Sequence, residues 1–468
     1  MDNLKNRIAG SLIGGAIGDA LGYQIEFKRN VKNKEIISFN NGTGIISDDT
    51  QMTLFTANAL LFRETRACMR GIALLPVDAI YESYLDWLDT QNHTDNHHSI
   101  SWIKNIKELN ESRAPGNTCI SALSSGIKGT IKQPINNSKG CGGIMRVAPI
   151  GLYMKKPELA GKFAAEASAL THGHPLGIIP SYVFSTLIWY LTNTDLTIRE
   201  ALDKSIKQYE EKFDIFDKEN KNYFIELVNK AIKLSGEDKI DIDAIKELGE
   251  GWVAEETFAI AIYSCLKYSN NFKDAIVCSI NHDGDSDSTG AVAGNIMGLY
   301  LGYEKIPLEY KNNIELRDEI LELASDLSID IPIVEYSDNN DEYWLSKYVY
   351  CKRDESLKEK QLNGNKLEKK LKKNIEEIIG NNDPYLNTIV YAIIEKITYL
   401  PSNITTTIAD LIKYNPNETF VEPLKQGKIY NAFIKVCQHL SINIEETHDS
   451  FGELAFYYQF KKVNNDKL

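Results

Sequence analysis

The chain has 468 residues, a formal charge of −13 and 43% hydrophobic residues. Its length exceeds the usual size of a single compact core, so we expect one large domain and a smaller one. The negative charge disfavours a general nucleic-acid binder, since phosphate contacts need clustered Lys and Arg, but it permits a nucleotide-sized ligand.

Cysteine usage and hydropathy indicate the cellular setting. The seven cysteines are scattered, and none is spaced as CxxC. This pattern predicts reduced thiols in a cytoplasmic protein. No apolar run reaches the roughly 18 residues of a membrane span, and the start of the chain, MDNLKNRIAGSLIGGAIGDALG, has an acid in its apolar stretch. We therefore expect no membrane partner and a first helix that is retained in the mature protein.

The periodicity along the chain is mostly helical. Apolar residues recur at three- and four-residue spacing near residues 50–64, 77–89, 158–171, 178–192, 198–211, 221–234, 254–268 and 289–301. Alternating strand patterns are nearly absent. The sequence therefore predicts an all-α fold.

Two of the predicted helices carry glycine at every fourth position. These residues are Gly10, Gly14, Gly18 and Gly22 in the first helix, and Gly290, Gly294 and Gly298 in the later one. Each glycine inside a helix costs about 1 kcal/mol relative to alanine, so a whole stripe needs a reason. We expect that another backbone approaches closely, as in tight central helix packing.

The composition changes after about residue 335. Between Lys352 and Lys373 the chain carries nine Lys or Arg against four acids. Farther on, PYLNTIVYAIIEKITYL and KIYNAFIKVCQHL have the pattern of amphipathic helices. We predict a large domain over residues 1–335, a charged linker or helix over 336–382, and a small helical domain of unknown role over 383–468.

An acidic cluster precedes one of the early helices. The segment GIISDDTQMTLFTANALL, residues 44–61, places Ser47, Asp48, Asp49 and Thr50 directly before an amphipathic run. Ser and Asp commonly cap free helix amides, and Asp suits the helix dipole. Alone, this segment indicates only the start of a helix.

A denser cluster lies in NHDGDSDSTGAVAGNIMG, residues 281–298, where Asp283, Asp285 and Asp287 fall within five positions. One Asp is sufficient as a cap, and three repel each other unless a cation lies between them. An EF-hand loop is excluded, because Ser288 replaces its turn glycine and Gly294 its bidentate glutamate. A helix cap or a hard-cation site for magnesium, manganese or calcium remains. The two oxygen-rich helix starts together predict that the fold gathers them around cations.

Six motifs follow one another along roughly residues 1–330: GSLIGGAIGDALGYQIEF, ISDDTQM, GCGGIMRVAPIGL, THGHP, LGEGWVAEE and HDGDSDSTGAVAGNIMG. In order and spacing they resemble the ADP-ribosylglycohydrolase family, which includes dinitrogenase reductase-activating glycohydrolase and the ADP-ribosylarginine and ADP-ribosylserine hydrolases. The resemblance implies a compact orthogonal multi-helix domain with two Mg²⁺ ions at its centre, for which Mn²⁺ can substitute. The implied ligands are Ser47, Asp48, Asp49, Asp285, Asp287 and Ser288, with Asp283 outside the pattern.

The resemblance also implies the hydrolysis of a glycosidic bond to ADP-ribose. An oxocarbenium-like sugar requires an activated water, a held ribose and a proton for the leaving nitrogen. Two cations can orient the ribose hydroxyls and lower the pKa of water. The family pattern implies Glu26 as the general acid or base, with Asp48 and Asp287 as further catalytic residues.

The loop SKGCGGIMR, residues 138–146, lies where the family has its ADP-ribose loop. A glycine-rich turn can direct backbone amides at phosphate oxygens. The resemblance therefore implies substrate contacts from Gly140, Cys141, Gly142 and Gly143, and from His172 and His174 in THGHP. Arg146 has two interpretations: a partner for a carboxylate or phosphate, or a structural ion pair.

Two details bear on the substrate. ESRAPGNTCI has Ala114 and Pro115 where some bacterial relatives carry an Asp, so no catalytic role is transferred from that Asp. This segment, and Ser288 as the last implied ligand, resemble the ADP-ribosylarginine hydrolases. They predict magnesium-dependent removal of ADP-ribose from protein arginine. The alternatives are a hydrolase of serine-linked ADP-ribose, and an immunity or binding protein that neutralises a cognate ADP-ribosyltransferase with or without catalysis.

Overall fold

The protein, a computed structural model, is described over residues 3–28, 37–95, 98–213, 215–333, 341–379, 386–387, 389–391, 393–394, 405–407, 431–438, 444–447 and 459–462. The chain divides into two compact units, Met1–Asp354 and Glu355–Leu468. Each unit has its own buried hydrophobic cluster.

The fold is all-α, as the sequence predicts. The helices are α1 (Asn3–Tyr23), α2 (Asp48–Arg70), α3 (Pro76–Asn92), α4 (Asn117–Ser124), α5 (Ala148–Tyr153), α6 (Pro157–Ala169), α7 (Pro175–Asn193), α8 (Ile198–Lys212), α9 (Lys218–Ser235), α10 (Asp241–Lys246), α11 (Ala254–Lys267), α12 (Phe272–Ile280), α13 (Ser286–Leu301), α14 (Leu308–Lys311), α15 (Arg317–Leu327), α16 (Glu342–Tyr348) and α17 (Glu355–Ile379).

Helices α1 and α13 run antiparallel with their glycine stripes in direct contact. A Cβ atom added to Gly18 would lie 1.9 Å from the carbonyl oxygen of Gly290, and one added to Gly10 would lie 2.0 Å from that of Gly298. No side chain fits at such distances, so the two backbones touch because the residues are glycines. The expected close helix packing is confirmed.

The pairing of α1 with α13 also places Glu26 beside the acidic start of α13. A Cβ atom on Gly22, near the end of α1, would lie 2.2 Å from the carbonyl oxygen of Ser286, the first residue of α13. The turn after α1 is closed by the amide of Glu26, which donates to the carbonyl oxygen of Gly22 at 3.1 Å. The chain end that carries Glu26 is therefore held beside the acidic start of α13.

Helix α7, predicted near residues 178–192, is long and apolar enough to cross a membrane by length and composition alone, whereas the sequence analysis expected no apolar run of that length. However, 83% of its most apolar window is buried inside the protein. It packs against α5, α6, α8 and α11. A helix that is apolar on all sides and enclosed by other helices is a core helix.

The first unit extends beyond residue 335, where the sequence analysis ended the large domain. Helix α16 packs on its core, and the indole Nε1 of Trp344 donates to Thr65 Oγ1 of α2 at 2.9 Å. The buried ammonium of Lys347 pairs with Glu322, at 2.9 Å, and with Asp326. The sequence around α16 is polar, and part of its charge is buried in this ion pair. The packing of α16 on the core was therefore not predicted from the sequence.

The second unit combines helices with a small sheet. Besides α17, residues 431–438 and the described residues between 386 and 394 are helical, within the two segments that were predicted to be helices. Three strands, β1 (Thr405–Thr407), β2 (Ile444–Thr447) and β3 (Gln459–Lys462), form an antiparallel sheet in the order β1-β3-β2. The sequence analysis predicted helices only, because strands of three or four residues are too short to show an alternating pattern.

Gly18→Ala should lower the free energy of unfolding by about 3 kcal/mol, because the new methyl group would overlap the backbone of α13. Gly236→Ala is the matched control: its added Cβ has 3.6 Å to the nearest atom, and the residue has φ −93°. The control should change stability by less than about 1 kcal/mol. Urea unfolding followed by circular dichroism measures both, and equal effects would contradict the contact.

Candidate active site

The first acidic cluster is held at the start of α2. Ser47 is the N-cap, and its Oγ accepts a hydrogen bond from the amide of Asp49 at 3.3 Å. Asp48 Oδ2 accepts from the amide of Gly116 at 3.1 Å. Beneath them, Asp19 of α1 accepts from the amides of Ser47, at 3.0 Å, and Thr50, at 3.1 Å. A buried carboxylate of α1 thus holds the cluster in place.

The second cluster is held at the start of α13. Asp285 is the N-cap, and its Oδ1 accepts from the amide of Ser288 at 3.1 Å. Asp287 Oδ1 accepts from the same amide at 3.0 Å. The thiol of Cys141 donates to Asp285 Oδ2 at 2.8 Å. The glycine-rich loop therefore contacts the acidic cluster directly.

One cleft of about 210 Å³ brings these regions together. Of the predicted site residues, its lining contains Glu26, Asp48, Asp49, Gly140, Cys141, Gly142, His172, Asp285, Asp287 and Ser288. The other three do not line it: Ser47 and Gly143 are buried behind it, and His174 caps α7 by accepting from the amide of Leu176 at 3.0 Å. Asp283 lies instead on a neighbouring cavity of about 540 Å³ that shares Glu26 and Trp252 with the cleft.

The carboxyl groups of the cleft are crowded and buried. Burial, followed by the nearby charge of Asp287, raises the pKa of Asp48, Asp49 and Asp285 well above its ordinary value. The same two causes raise the pKa of Glu26 to about 10. Burial and Asp287 also raise the pKa of Asp19 to about 7. Without a cation, burial and mutual repulsion therefore favour the protonated forms of these carboxyl groups.

The donor set fits a hard cation. Two buried oxygen atoms, Asp49 Oδ2 and Glu26 Oε2, have no hydrogen-bond partner among the described residues. No three His, Cys, Asp or Glu side chains in the described ranges already have the arrangement of a formed metal site. Carboxylate and hydroxyl oxygens are nevertheless the ligands that Mg²⁺, Mn²⁺ and Ca²⁺ prefer, and a cation would relieve the repulsion between the carboxylates.

The glycine-rich loop forms the wall opposite the carboxylates. It pairs with the LGEGWVAEE segment: the amide of Cys141 donates to the carbonyl oxygen of Trp252 at 3.2 Å, and that of Ala254 to Lys139 at 2.9 Å. A Cβ atom on Gly142 would lie 3.0 Å from both Cys119 Sγ and His172 Cε1. Glycine at this position therefore leaves the cleft open in front of the histidine ring.

Several residues of the site were not predicted. Asp19 had a signal, since it is the acid inside the apolar helix GGAIGDALG, and Trp252 and Gly116 lie in segments quoted above. Cys119 also lines the cleft, but its sequence gives no sign that separates it from an ordinary core cysteine. Their roles follow from positions that only the folded chain shows.

Known proteins support this description. The family profile described as ADP-ribosylglycohydrolase matches residues 1–335. The chain therefore belongs to the ADP-ribosylglycohydrolase family, as its motifs indicate. Members of this family hydrolyse linkages to ADP-ribose.

Three similar proteins illustrate the range of the family. ADP-ribosylhydrolase ARH3 of Gallus gallus is 25% identical over 366 residues, with 69% of this chain and 92% of that protein covered. The ADP-ribosyl-[dinitrogen reductase] glycohydrolase of Rhodospirillum rubrum is 20% identical over 332 residues, with 68% and 93% covered. A solved structure named as an ADP-ribosylglycohydrolase-related protein complex has a TM-score of 0.50 at 22% identity, covers 70% of this chain and 99% of its own, and supports the fold alone.

In chelator, the free energy of unfolding should fall as the pH rises from about 5 to about 8. The carboxyl groups of the cleft keep their protons in the native protein at pH values where the same groups of the unfolded chain have lost them, above about pH 4. Their contribution to stability is therefore complete below about pH 4, and it decreases as the pH approaches their raised native pKa values. Each such proton contributes about 1.4 kcal/mol per pH unit. Urea unfolding at several pH values measures this, and a rise in stability over the same range would contradict it.

Asp49→Asn should stabilise the chelated protein by about 1 kcal/mol, because the amide is neutral without having to take up a proton and does not repel the neighbouring carboxylates. The same variant should lose most of the stabilisation that Mg²⁺ or Mn²⁺ gives the wild type. Asp217→Asn is the control, since Asp217 is the exposed N-cap of α9 and Asn caps equally well. Thermal unfolding with and without cation compares the three proteins; unchanged cation stabilisation in Asp49→Asn would count against a cation site.

Proposed function

We propose that the protein is a divalent-cation-dependent hydrolase that cleaves the N-glycosidic bond between ADP-ribose and a protein arginine side chain. The observation that supports this most strongly is the convergence of Glu26 and the carboxylates of two helix starts on one cleft. We propose Mg²⁺ as the cation, with Mn²⁺ as a substitute. Its substrate would be an ADP-ribosylated protein, and a cognate ADP-ribosyltransferase would be the enzyme that supplies it.

The residues that would hold two cations are Asp48, Asp49, Asp285, Asp287 and Ser288, which all line the cleft. Bound cations would orient the ribose hydroxyls and lower the pKa of water. The resemblance implies Ser47 as a sixth ligand; Ser47 is fully buried, and its Oγ accepts a hydrogen bond from the amide of Asp49 at the start of α2. We therefore propose that Ser47 positions the ligands.

Glu26 would move the proton. Its carboxyl group is hydrogen-bonded to Asp287 and lies on the boundary between the cleft and the neighbouring cavity. A carboxyl group in this position could deliver a proton to a leaving nitrogen and take one from the attacking water. Asp48 and Asp287 would hold the reacting ribose in place.

The diphosphate of ADP-ribose would lie against Gly140, Cys141 and Gly142, beside His172. Backbone amides of a glycine-rich turn suit phosphate oxygens. Burial and the charge of Arg146 lower the pKa of His172 to about 3, so this ring is neutral at physiological pH. A neutral ring can donate one hydrogen bond to an anion without adding a charge to the cleft.

The linkage to arginine is supported by the RAPG segment and by Ser288. Ala114 has a positive φ of 52° and lines the cleft, so the strained loop presents no carboxylate at this position. Serine-linked ADP-ribose is the competing substrate, and the similarity to proteins named ARH3 makes it worth a direct comparison. We also propose a cytoplasmic location, since the seven cysteines are all unpaired thiols.

Release of ADP-ribose from matched peptides modified on arginine or on serine tests the proposal. We expect release from the arginine peptide with Mg²⁺ and none in chelator. Glu26→Gln should lower kcat by about 10²-fold or more, because it removes the transferable proton. Glu210→Gln, an exposed glutamate on α8, is the matched control and should retain full activity.

The two peptides separate the possible failures. Release from the serine peptide alone would overturn the arginine assignment and leave the hydrolase intact. Absence of release from both peptides, by folded protein supplied with Mg²⁺ or Mn²⁺, would overturn the enzyme assignment.

A further inference from the structure

The cleft has no cationic side chain on its surface. Among the described residues that line it there is no lysine or arginine, whereas five carboxyl groups, those of Glu26, Asp48, Asp49, Asp285 and Asp287, face it. A diphosphate carries negative charge, so its entry needs a compensating positive potential. The amides of the glycine-rich loop supply part of it. Cations bound between the carboxylates would offset the acidic groups, and a positive charge behind the wall would add to the potential at the loop.

Arg146 is a positive charge in that position. Its side chain is fully buried, and its guanidinium lies 4.3 Å from the centre of the Tyr84 ring. Nη2 donates to the carbonyl oxygen of Ala167 at 3.1 Å, and Nη1 faces the sulfur atoms of Met52 and Cys119 at 3.4 Å. In the described part of the chain no carboxylate pairs with it, and its Nε has no hydrogen-bond partner. The structural ion pair, one of the two interpretations drawn from the sequence, is therefore not found among the described residues.

Hydrogen bonds connect this charge to the surface of the cleft. Nη2 of Arg146 donates to Thr171 Oγ1 at 2.6 Å, and the same oxygen lies 2.8 Å from Nδ1 of His172. The other ring nitrogen, Nε2, is 3.3 Å from the Cβ position that both Gly140 and Gly142 lack. When the Thr171 hydroxyl donates to Nδ1, the ring carries its proton on Nε2 and directs it at the loop. Burial, and after it the charge of Arg146, lowers the pKa of His172, so the positive charge acts on the ring at this wall.

A purely structural role explains this arginine poorly. A buried charge without an acidic partner costs several kcal/mol, and an apolar residue of similar volume would fill the same space. Two other buried cations of this unit follow the ordinary rule: Arg113 pairs with Glu315, and Lys347 pairs with Glu322 and Asp326. A third, Lys311, is less deeply buried than Arg146 and donates to the carbonyl oxygens of Tyr303 and Glu304. Arg146 is held instead by Ala167, Thr171 and the Tyr84 ring, so its positive charge stays available to an anion that is supplied from outside the chain.

We propose that Arg146 is a positioning residue that favours the anionic diphosphate of ADP-ribose in the cleft, acting through Thr171 and His172 without touching the ligand. This inference rests on the proposed function, because it takes ADP-ribose as the ligand. The negative charge of the diphosphate would be recognised by a side chain that the ligand does not contact. The affinity for adenosine, which lacks the diphosphate, should not depend on the charge of Arg146.

Calorimetric binding of ADP-ribose and of adenosine to the full chain tests the proposal. Arg146→Met should weaken the binding of ADP-ribose by about tenfold or more and that of adenosine by less than about threefold. Arg146→Lys retains the charge and should recover most of the affinity for ADP-ribose. Thr171→Val keeps the arginine but breaks the hydrogen-bonded connection, so it should show a smaller, selective loss. Because Arg146→Met is a buried substitution, Arg146→Lys and Thr171→Val keep the test valid if that variant does not fold.

Lys347→Met is the matched control, because it removes a buried cation of α16. Lys347 lines neither of the two cavities that Glu26 borders. It should lower stability and leave the ratio of the two affinities unchanged. Equal losses for ADP-ribose and adenosine in the Arg146 variants, or no loss for either, would overturn the inference while the proposed function stands. A wild-type protein that binds no ADP-ribose would overturn both.

Discussion

The backbone contact between α1 and α13 sets the geometry of the site. Seven glycines bring the two helices so close that a single methyl group would overlap the opposite chain. The contact is antiparallel, so the end of α1 meets the start of α13. Asp19 and Glu26 come from one side of this contact, and Asp285 and Asp287 from the other. A wider helix pair would separate the carboxyl groups and remove the crowding on which the chemistry depends.

The crowding makes the site costly for the free protein and useful for a reaction. Buried carboxyl groups that repel each other take up protons or bind cations, and either response reduces the repulsion. The α2 and α13 helix starts stabilise part of the charge through their amides, which is why the cluster can form at all. The opposite wall has glycine amides, a neutral histidine and a buried arginine. A ligand with a ribose beside a diphosphate matches this division of charge.

Much of this arrangement follows from the sequence, for identifiable reasons. Helical periodicity, the glycine stripes and the two acidic caps are local patterns, so they predicted the fold class, the helix contact and the acidic clusters of the cleft. Glu26, the glycine-rich loop and His172 were predicted from the resemblance to the family. The positions of Asp19 and Arg146 behind the cleft were not predicted, because their burial depends on contacts with distant segments. His174 and Gly143 matched the family motifs but lie outside the lining, since neighbours in sequence need not share a surface.

The position of bound cations tests the central claim most directly. Anomalous scattering from crystals of the protein grown with Mn²⁺ would locate them without reference to turnover. The account predicts two peaks between the carboxylates of Asp48 and Asp49 and those of Asp285 and Asp287. A well-ordered cleft with no peak there, or peaks bound only elsewhere on the chain, would contradict it.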